Sequence, residues 1–204
     1  MPSHSKEDDE SCCLEILATV AESHIACIPG LFELQGRPFH DARGAFLNAF
    51  RAEDDAFMRS WGDRGIAQVN ISRSNQVGTV RGLHLQAEPH SEAKLVRCLR
   101  GRVWDVAVDL RRDSASYGEW HAVELSPERC NALLIPEGCA HGFQVLEPGS
   151  ELLYLHSGTW VPEAETGVRW DDPQLAIRWP LPVTELSARD QALPLLPAVP
   201  HLHP

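Results

Sequence analysis

The sequence lacks several features that would place it in large classes of protein. No stretch approaches the roughly 20 consecutive apolar residues of a membrane-spanning helix, and residues 1–10 are polar and acidic, so we expect no membrane partner and no secretory signal. Basic residues are in deficit, since 18 Lys and Arg stand against 29 Asp and Glu and give a formal charge of −11. This balance argues against a nucleic-acid partner, which requires a basic face. It is compatible with a small phosphorylated ligand held by a few arginines.

The six cysteines include no CxxC pair, which is the spacing typical of redox and zinc sites. Because nothing in the sequence indicates secretion, we expect reduced thiols and a cytoplasmic protein. Internal repeats and coiled-coil heptads are also absent from the sequence.

The length of 204 residues suits one domain. We expect a variable N-terminal extension over residues 1–26, with a helix-compatible run at 12–22, a domain over residues 27–196, and a tail over residues 197–204. The 15 prolines and 14 glycines separate short alternating segments. Around ten short strands with few helices predict an all-β, double-sheet jelly-roll barrel, a fold that often holds a ligand between its sheets.

Residues 94–99 and 102–110 form the most strongly patterned stretch, and we predict a β-hairpin there because a glycine-containing turn separates the two runs. Alternation places Trp104 and Val106 on one face of the second strand and Asp105 on the other. In the first strand Lys94 shares a face with apolar Val96. Such a lysine is either an edge residue that extends its ammonium to water or part of a lined cavity.

A second unusual stretch, residues 135–143, has a proline and two glycines around His141. This pattern predicts a turn that delivers His141 to a defined place, although a structural histidine would give the same pattern. The Pro-x-Gly-x-x-His spacing resembles the second box of the cupin superfamily. Where a metal-binding cupin would carry its first box, this chain has His84 and Gln86, which form a poor metal site without a carboxylate or a third histidine. We therefore expect no metal.

A longer set of motifs resembles the dTDP-4-dehydrorhamnose 3,5-epimerase family of cupins and implies a cupin-type jelly-roll barrel. The motifs are, in order, Arg-Gly-Leu-His-x-Gln at 81–86, Lys-Leu-Val-Arg at 94–97, Asp-Val-Ala-Val-Asp-Leu-Arg at 105–111, Ile-Pro-Glu-Gly-x-Ala-His-Gly-Phe at 135–143, Trp-x-Asp-Pro at 170–173 and Leu-Ser-x-x-Asp at 186–190. The resemblance implies a cofactor-independent enzyme that inverts C3, C5 or both in a nucleotide-linked 4-keto-6-deoxy sugar. It also implies a homodimer with some nucleotide contacts crossing between subunits.

The resemblance assigns roles to single residues. His84 matches the family's base, Asp190 its carboxylate partner, Tyr154 the acid on the opposite face and Lys94 the cation that stabilises the enolate. Seven further residues match substrate-binding positions: Arg43, Gln68, Asn70, Arg81, His141, Glu165 and Trp170. Trp160 is also expected to bind substrate, in place of a frequent tyrosine. Without the resemblance, Arg43 reads as a solvated turn residue and Trp170 as a core residue.

The chain departs from the family pattern at three positions that bear on recognition of the nucleotide. Asn48 stands where many members carry glutamate, Trp160 replaces a frequent tyrosine, and Leu155 replaces a common lysine. Two alternatives to the epimerase are a metal-dependent cupin oxygenase or isomerase and a non-catalytic cupin that binds a sugar nucleotide. Metal analysis would reveal the first, and the second predicts loss of a catalytic residue, none of which is lost.

Overall fold

The computed structural model describes residues 21–24, 27–52 and 55–197. Short strands dominate it, and their bounds are β1 Ala21–His24, β2 Phe32–Gln35, β3 Phe39–Asp41, β4 Gly44–Phe46, β5 Gln68–Ser74, β6 Val80–Gln86, β7 Lys94–Arg100, β8 Val103–Asp109, β9 Trp120–Leu125, β10 Asn131–Ile135, β11 Cys139–Val145, β12 Ser150–His156 and β13 Glu165–Gly167. The α-helices of the described residues are α1, Asp55–Trp61, and α2, Ala188–Gln191. The predicted N-terminal run at 12–22 falls mostly outside the described residues, and its last two residues belong to β1.

The strands form two main antiparallel sheets and one small hairpin. The larger sheet has the order β1-β2-β10-β7-β12-β5 and the smaller has β13-β6-β11-β8-β9. Within the described residues β3 pairs only with β4. From β5 to β8 and from β9 to β13, strands that are consecutive in the chain alternate between the two main sheets, as in a jelly roll. The predicted all-β, cupin-type jelly-roll fold is confirmed.

The predicted hairpin over residues 94–110 is wrong. β7 pairs with β10 and β12 in the larger sheet, whereas β8 pairs with β9 and β11 in the smaller one. The connection at Gly101, with φ of 71°, therefore carries the chain from one sheet to the other. Both strands are buried along most of their length. Each has a hydrogen-bonded strand on either side, and these neighbours replace the local β7–β8 pairing that the turn residues predicted.

The alternation predicted within these strands is correct and defines the core. Val96, Val103 and Ala107 pack into an apolar cluster between the two sheets, while Val106 and Val108 pack on the outer side of the smaller sheet. The inner cluster fills only part of the space between the sheets. The remainder is the cavity described below.

Two observations concern the protein's setting. Neither helix in the described part of the chain has the length and apolar character needed to cross a membrane. The four cysteines within the described residues, Cys27, Cys98, Cys130 and Cys139, are free thiols.

Candidate active site

A cavity of about 730 Å³ opens between the two main sheets. Its walls come from β6 and β11 of the smaller sheet, from β5, β7 and β12 of the larger sheet, and from the segment that leads into α2. Its polar lining includes Gln68, Asn70, Arg81, His84, Gln86, Glu92, Lys94, His141, Tyr154, His156, Trp160, Glu165, Glu185, Arg189 and Asp190. The cavity therefore presents both carboxylates and cations to a ligand.

His84 and Asp190 form a hydrogen-bonded pair in this cavity, with Nε2 of the imidazole 2.7 Å from Oδ1 of the carboxylate. Asp190 is buried in α2, whose N-cap Ser187 accepts a hydrogen bond from the Asp190 backbone N–H. The Gly82 N–H donates to the second carboxylate oxygen at 3.2 Å. Burial raises the pKa of Asp190, but its hydrogen bond and charge interaction with His84 outweigh burial, and the net pKa lies below the ordinary value. An ionised Asp190 favours the proton on Nε2, a nitrogen that Nη2 of Arg189 also approaches to 3.3 Å, and in this tautomer Nδ1 of His84 is the base.

His141 lies directly opposite His84 across the β6–β11 pair. The two strands approach closely at Gly82, where the absence of a side chain makes room: a Cβ there would come within 2.6 Å of the His141 carbonyl oxygen. His141 Nε2 is 2.8 Å from Oδ1 of Asp105, a fully buried residue whose carboxyl pKa is raised by burial despite the opposing effect of His141. The proline and glycine of the predicted turn at 135–143 precede β11, so His141 stands in a strand rather than in the turn itself.

Tyr154 enters the cavity from the larger sheet and is held between two imidazoles. Its ring meets that of His141 edge to face at 5.7 Å and stacks on that of His156 at 5.9 Å. Burial, and after it the charge of Asp105, raises the pKa of Tyr154 well above its ordinary value. The phenol therefore remains protonated at neutral pH and is available as a proton donor.

Lys94 is buried on the inner face of β7, which favours the lined-cavity alternative over the edge alternative. Its ammonium is 3.3 Å from Oε1 of Glu92, and Oε2 of the same carboxylate is 3.2 Å from Nδ1 of His156. Burial raises the pKa of Glu92, but the His156 hydrogen bond and the Lys94 charge outweigh burial and lower the net pKa. An ionised carboxylate thus compensates the buried cation.

The mouth of the cavity carries the more exposed polar groups. Oε2 of Glu165 accepts hydrogen bonds from Trp160 Nε1 at 3.1 Å and from Arg189 Nη1 at 2.7 Å. Gln86 contributes indirectly: its side chain bonds the backbone at Thr159 and Val161 and so holds the segment that carries Trp160. Gln86, whose amide stands where a metal-binding cupin would carry a ligand, therefore orders the rim of the cavity.

The sequence comparisons place the chain in a known group. A sequence profile described as dTDP-4-dehydrorhamnose 3,5-epimerase matches residues 26–198. The chain belongs to this family.

Members of the epimerase family resemble the chain over most of its length. It is 43% identical to the dTDP-4-dehydrorhamnose 3,5-epimerase of Sinorhizobium fredii over 168 residues, which are 82% of this chain and 85% of that protein. It is 41% identical over 170 residues to a dTDP-4-dehydrorhamnose 3-epimerase of Streptomyces niveus, covering 83% and 81% of the two chains. Among solved structures, an epimerase of Legionella pneumophila in complex with dTDP-4-keto-L-rhamnose superposes with a TM-score of 0.79 at 37% identity, covering 86% and 92%.

Ten of the twelve site residues predicted from the family resemblance line the cavity. The other two, Arg43 and Trp170, do not. Arg43 lies in the β3–β4 turn with 90% of its side chain exposed and pairs with Asp41, while Trp170 lines a neighbouring groove and accepts a hydrogen bond from Trp179 at its carbonyl. Their binding roles stay predictions.

Sequence reasoning missed Glu92, His156 and Arg189. Glu92 is two residues from Lys94 and Arg189 is next to Asp190, so proximity to predicted residues could have signalled both. His156 follows Tyr154 at the i+2 spacing that puts two side chains on one face of a strand.

Proposed function

We propose that the protein is a cofactor-independent epimerase of a dTDP-linked 4-keto-6-deoxy sugar, acting at C3, C5 or both. The observation that carries this proposal is the convergence of an acid-paired imidazole, His84, and a buried phenol, Tyr154, on one cavity from different sheets. Inversion of a carbon requires removal of a proton from one face and its replacement from the other, which two groups on separate walls can accomplish.

The base in this proposal is His84. The 4-keto group makes the neighbouring C–H acidic, and a neutral imidazole has a proton affinity suited to its removal near neutral pH. Ionised Asp190 stabilises the imidazolium that forms. The arrangement therefore favours the direction of proton transfer that the reaction needs.

Removal of the proton places negative charge on the keto oxygen. Lys94 supplies a buried cation on the cavity wall, where water screens its charge less than at the surface. Tyr154 then delivers its proton to the opposite face of the enolate. After product release the imidazolium of His84 loses its proton to solvent and the tyrosinate takes one up, which restores both groups.

The nucleotide lies, in this proposal, toward the mouth of the cavity. Arg81 and Arg189 are guanidinium groups suited to a diphosphate. The indole of Trp160, 54% exposed, offers a surface on which a base can stack. These features support the ligand class that the names of the relatives indicate.

We also propose a cytoplasmic homodimer. In the part of the chain that the structure describes, the β3–β4 hairpin pairs with no other strand, and it exposes Arg43 together with 59% of Phe46. In a dimer of the kind that the family resemblance implies, such a hairpin would bring Arg43 to a nucleotide in the second subunit. Sedimentation of the purified protein tests the dimer, and a monomer at micromolar concentration would contradict it.

The test of the function is incubation with dTDP-4-keto-6-deoxy-D-glucose in deuterated water, followed by NMR of the sugar. We expect deuterium at C3, C5 or both. The relatives include both 3,5-epimerases and a 3-epimerase, so the number of exchanging carbons assigns the chain to one type. A substrate left unlabelled by folded protein would contradict the proposal, and activity that depended on a metal found by elemental analysis would favour the metal-dependent cupin.

A further inference from the structure

A chain of hydrogen bonds crosses the inner face of the larger sheet from the mouth of the cavity to Lys94. Its five links are Trp160 N–H to Gln68 Oε1 at 3.0 Å, Gln68 Nε2 to Asn70 Oδ1 at 3.1 Å, Asn70 Nδ2 to His156 Nε2 at 3.4 Å, His156 Nδ1 to Glu92 Oε2 at 3.2 Å and Lys94 Nζ to Glu92 Oε1 at 3.3 Å. Strand register makes this chain possible, because His156 on β12 lies opposite both Gln68 on β5 and Lys94 on β7.

The direction of every link is fixed from the two ends. At the mouth, the backbone N–H of Trp160 can only donate, so Gln68 must offer its oxygen there and its amide nitrogen to Asn70. Asn70 in turn must accept with its oxygen and donate with its nitrogen to His156. At the other end the Glu92 carboxylate, held ionised beside Lys94, can only accept. The amide orientations, which distances alone do not define, follow from these terminal groups.

These hydrogen-bond directions leave one tautomer for the imidazole of His156, in the middle of the chain of hydrogen bonds. His156 must donate from Nδ1 to Glu92 and accept at Nε2 from Asn70. It is therefore a neutral histidine in the Nδ1–H tautomer. A proton on Nε2 would face the donating amide of Asn70, and reversal of Asn70 and Gln68 would only move the conflict to the fixed N–H of Trp160.

We propose that Glu92 and His156 are positioning residues that couple the two ends of the cavity: they hold the Lys94 ammonium at the sugar end and set the amide faces of Gln68 and Asn70 at the nucleotide end. The coupling to catalysis rests on the proposed function, whereas the tautomer of His156 does not. Glu92 anchors the flexible lysine side chain, and His156 also packs its ring against that of Tyr154. Binding of the nucleotide and placement of the Lys94 ammonium thus depend on the same chain of hydrogen bonds.

Two variants test whether the direction of the hydrogen bonds matters, or only the presence of a polar side chain at each position. In Glu92→Gln the Lys94 ammonium, as the charged donor, keeps the amide oxygen, so the amide nitrogen faces His156 and the His156 link must reverse or break. His156→Gln keeps the order of the imidazole, because its nitrogen can donate to Glu92 and its oxygen can accept from Asn70. If the chain of hydrogen bonds acts through its polarity, His156→Gln lowers activity less than Glu92→Gln, although it is the larger change in shape and also removes the ring that stacks on Tyr154.

The first measurement is two-bond ¹H–¹⁵N correlation NMR of the full chain labelled with ¹⁵N-histidine, at pH 7.5. The signal lost in His156→Gln identifies His156 among the ten histidines of the sequence. We expect wild-type His156 as the Nδ1–H tautomer and its loss in Glu92→Gln. An Nε2–H tautomer or a charged ring in the wild type, or an unchanged tautomer in Glu92→Gln, would overturn the proposal, and neither result depends on enzymatic activity.

The second measurement compares turnover with the affinity for dTDP by calorimetry. Displacement of the ammonium by an ångström predicts a fall in kcat of about 10²-fold in Glu92→Gln. If the effect passes along the hydrogen bonds to Asn70, Glu92→Gln should also lower dTDP affinity about fivefold. This loss should disappear when Asn70→Ala is already present. Turnover and dTDP affinity should both fall less in His156→Gln than in Glu92→Gln. Unchanged dTDP affinity in Glu92→Gln, or full additivity with Asn70→Ala, would show that the effect of Glu92 is confined to Lys94 and would overturn the coupling.

Wild-type protein that exchanged no substrate proton would instead refute the proposed function, while the NMR result would stand.

Discussion

His84 and Tyr154 reach the same cavity from different sheets, His84 on β6 and Tyr154 on β12. His141 connects them, since it lies opposite His84 in the strand register and its ring is 5.7 Å from that of Tyr154. A sugar held between the two walls would present one face to each group.

Replacement of His84 by glutamine removes the base but keeps an N–H that can donate to Asp190. We expect epimerisation to fall by about 10²- to 10⁴-fold, the range for loss of a general base. Because the buried carboxylate retains a partner, the thermal unfolding midpoint should change little. Product formation by NMR and a melt by circular dichroism measure the two effects. Near-normal turnover in this variant would remove His84 from the role of base.

Tyr154→Phe removes the acid and leaves the base in place. His84 can still abstract a proton and return one from solvent to the same face, so we expect deuterium to enter the substrate without inversion. The distinguishing result is labelled substrate of unchanged configuration, seen in the coupling constants of the sugar protons. Full inversion in this variant would show that another group protonates the opposite face.

Asp190→Asn tests the ionised partner of His84. An amide can donate to Nε2 of the imidazole and so favours the opposite tautomer, in which the base nitrogen carries the proton. We expect kcat to fall by about 10²- to 10⁴-fold with little change in dTDP affinity, because Asp190 stabilises the imidazolium that forms only during reaction. An equal loss in dTDP affinity and kcat would indicate a binding role instead.

Asp109 provides a prediction about stability away from the cavity. Its buried carboxylate accepts hydrogen bonds from Arg111, Ser114 and Ser116, and although burial raises its pKa, these bonds lower it to about 2. Since the folded pKa is depressed from 3.8, the carboxylate stabilises the fold above pH 3.8, and the contribution is lost as pH falls toward 2. The shift corresponds to about 2 kcal/mol of unfolding free energy.

Urea unfolding at several pH values measures this contribution. Asp109→Asn should be less stable than wild type by on the order of 2 kcal/mol at pH 7, and the difference should shrink as the pH approaches 2. Turnover per folded molecule should remain normal, because Asp109 is not among the residues lining the cavity. A stability difference that does not vary with pH would contradict the linkage.

The sequence was sufficient to predict the architecture but not the pairing of its strands. Alternation placed Val96 and Val106 on their correct faces. The β7–β8 connection was predicted as a hairpin because turn residues report local geometry only. Whether two consecutive strands pair depends on distant strands, here β10, β11 and β12, that compete for the same edges.

The site was predictable where the family resemblance supplied residues and not where contacts join distant parts of the chain. Glu92 and His156 are 64 positions apart, and only the pairing of β12 with β7 brings them together. Arg43 and Trp170 match family positions yet lie outside the cavity of this single chain. Their predicted roles depend on a second subunit or on ligand contacts beyond the residues that line the cavity.

The most direct test of the central claim, that base and acid are different groups on opposite faces, is the isotope content of the inverted carbon in the first turnover. Wild-type protein in deuterated water is mixed with excess protiated dTDP-4-keto-6-deoxy sugar, and the reaction is quenched before one product per site has formed. Because the new proton comes from Tyr154, already exchanged with solvent, and never from His84, we predict that every inverted carbon carries deuterium. Inverted carbons that retain the original proton would show that one group removes and returns it, and would contradict the account.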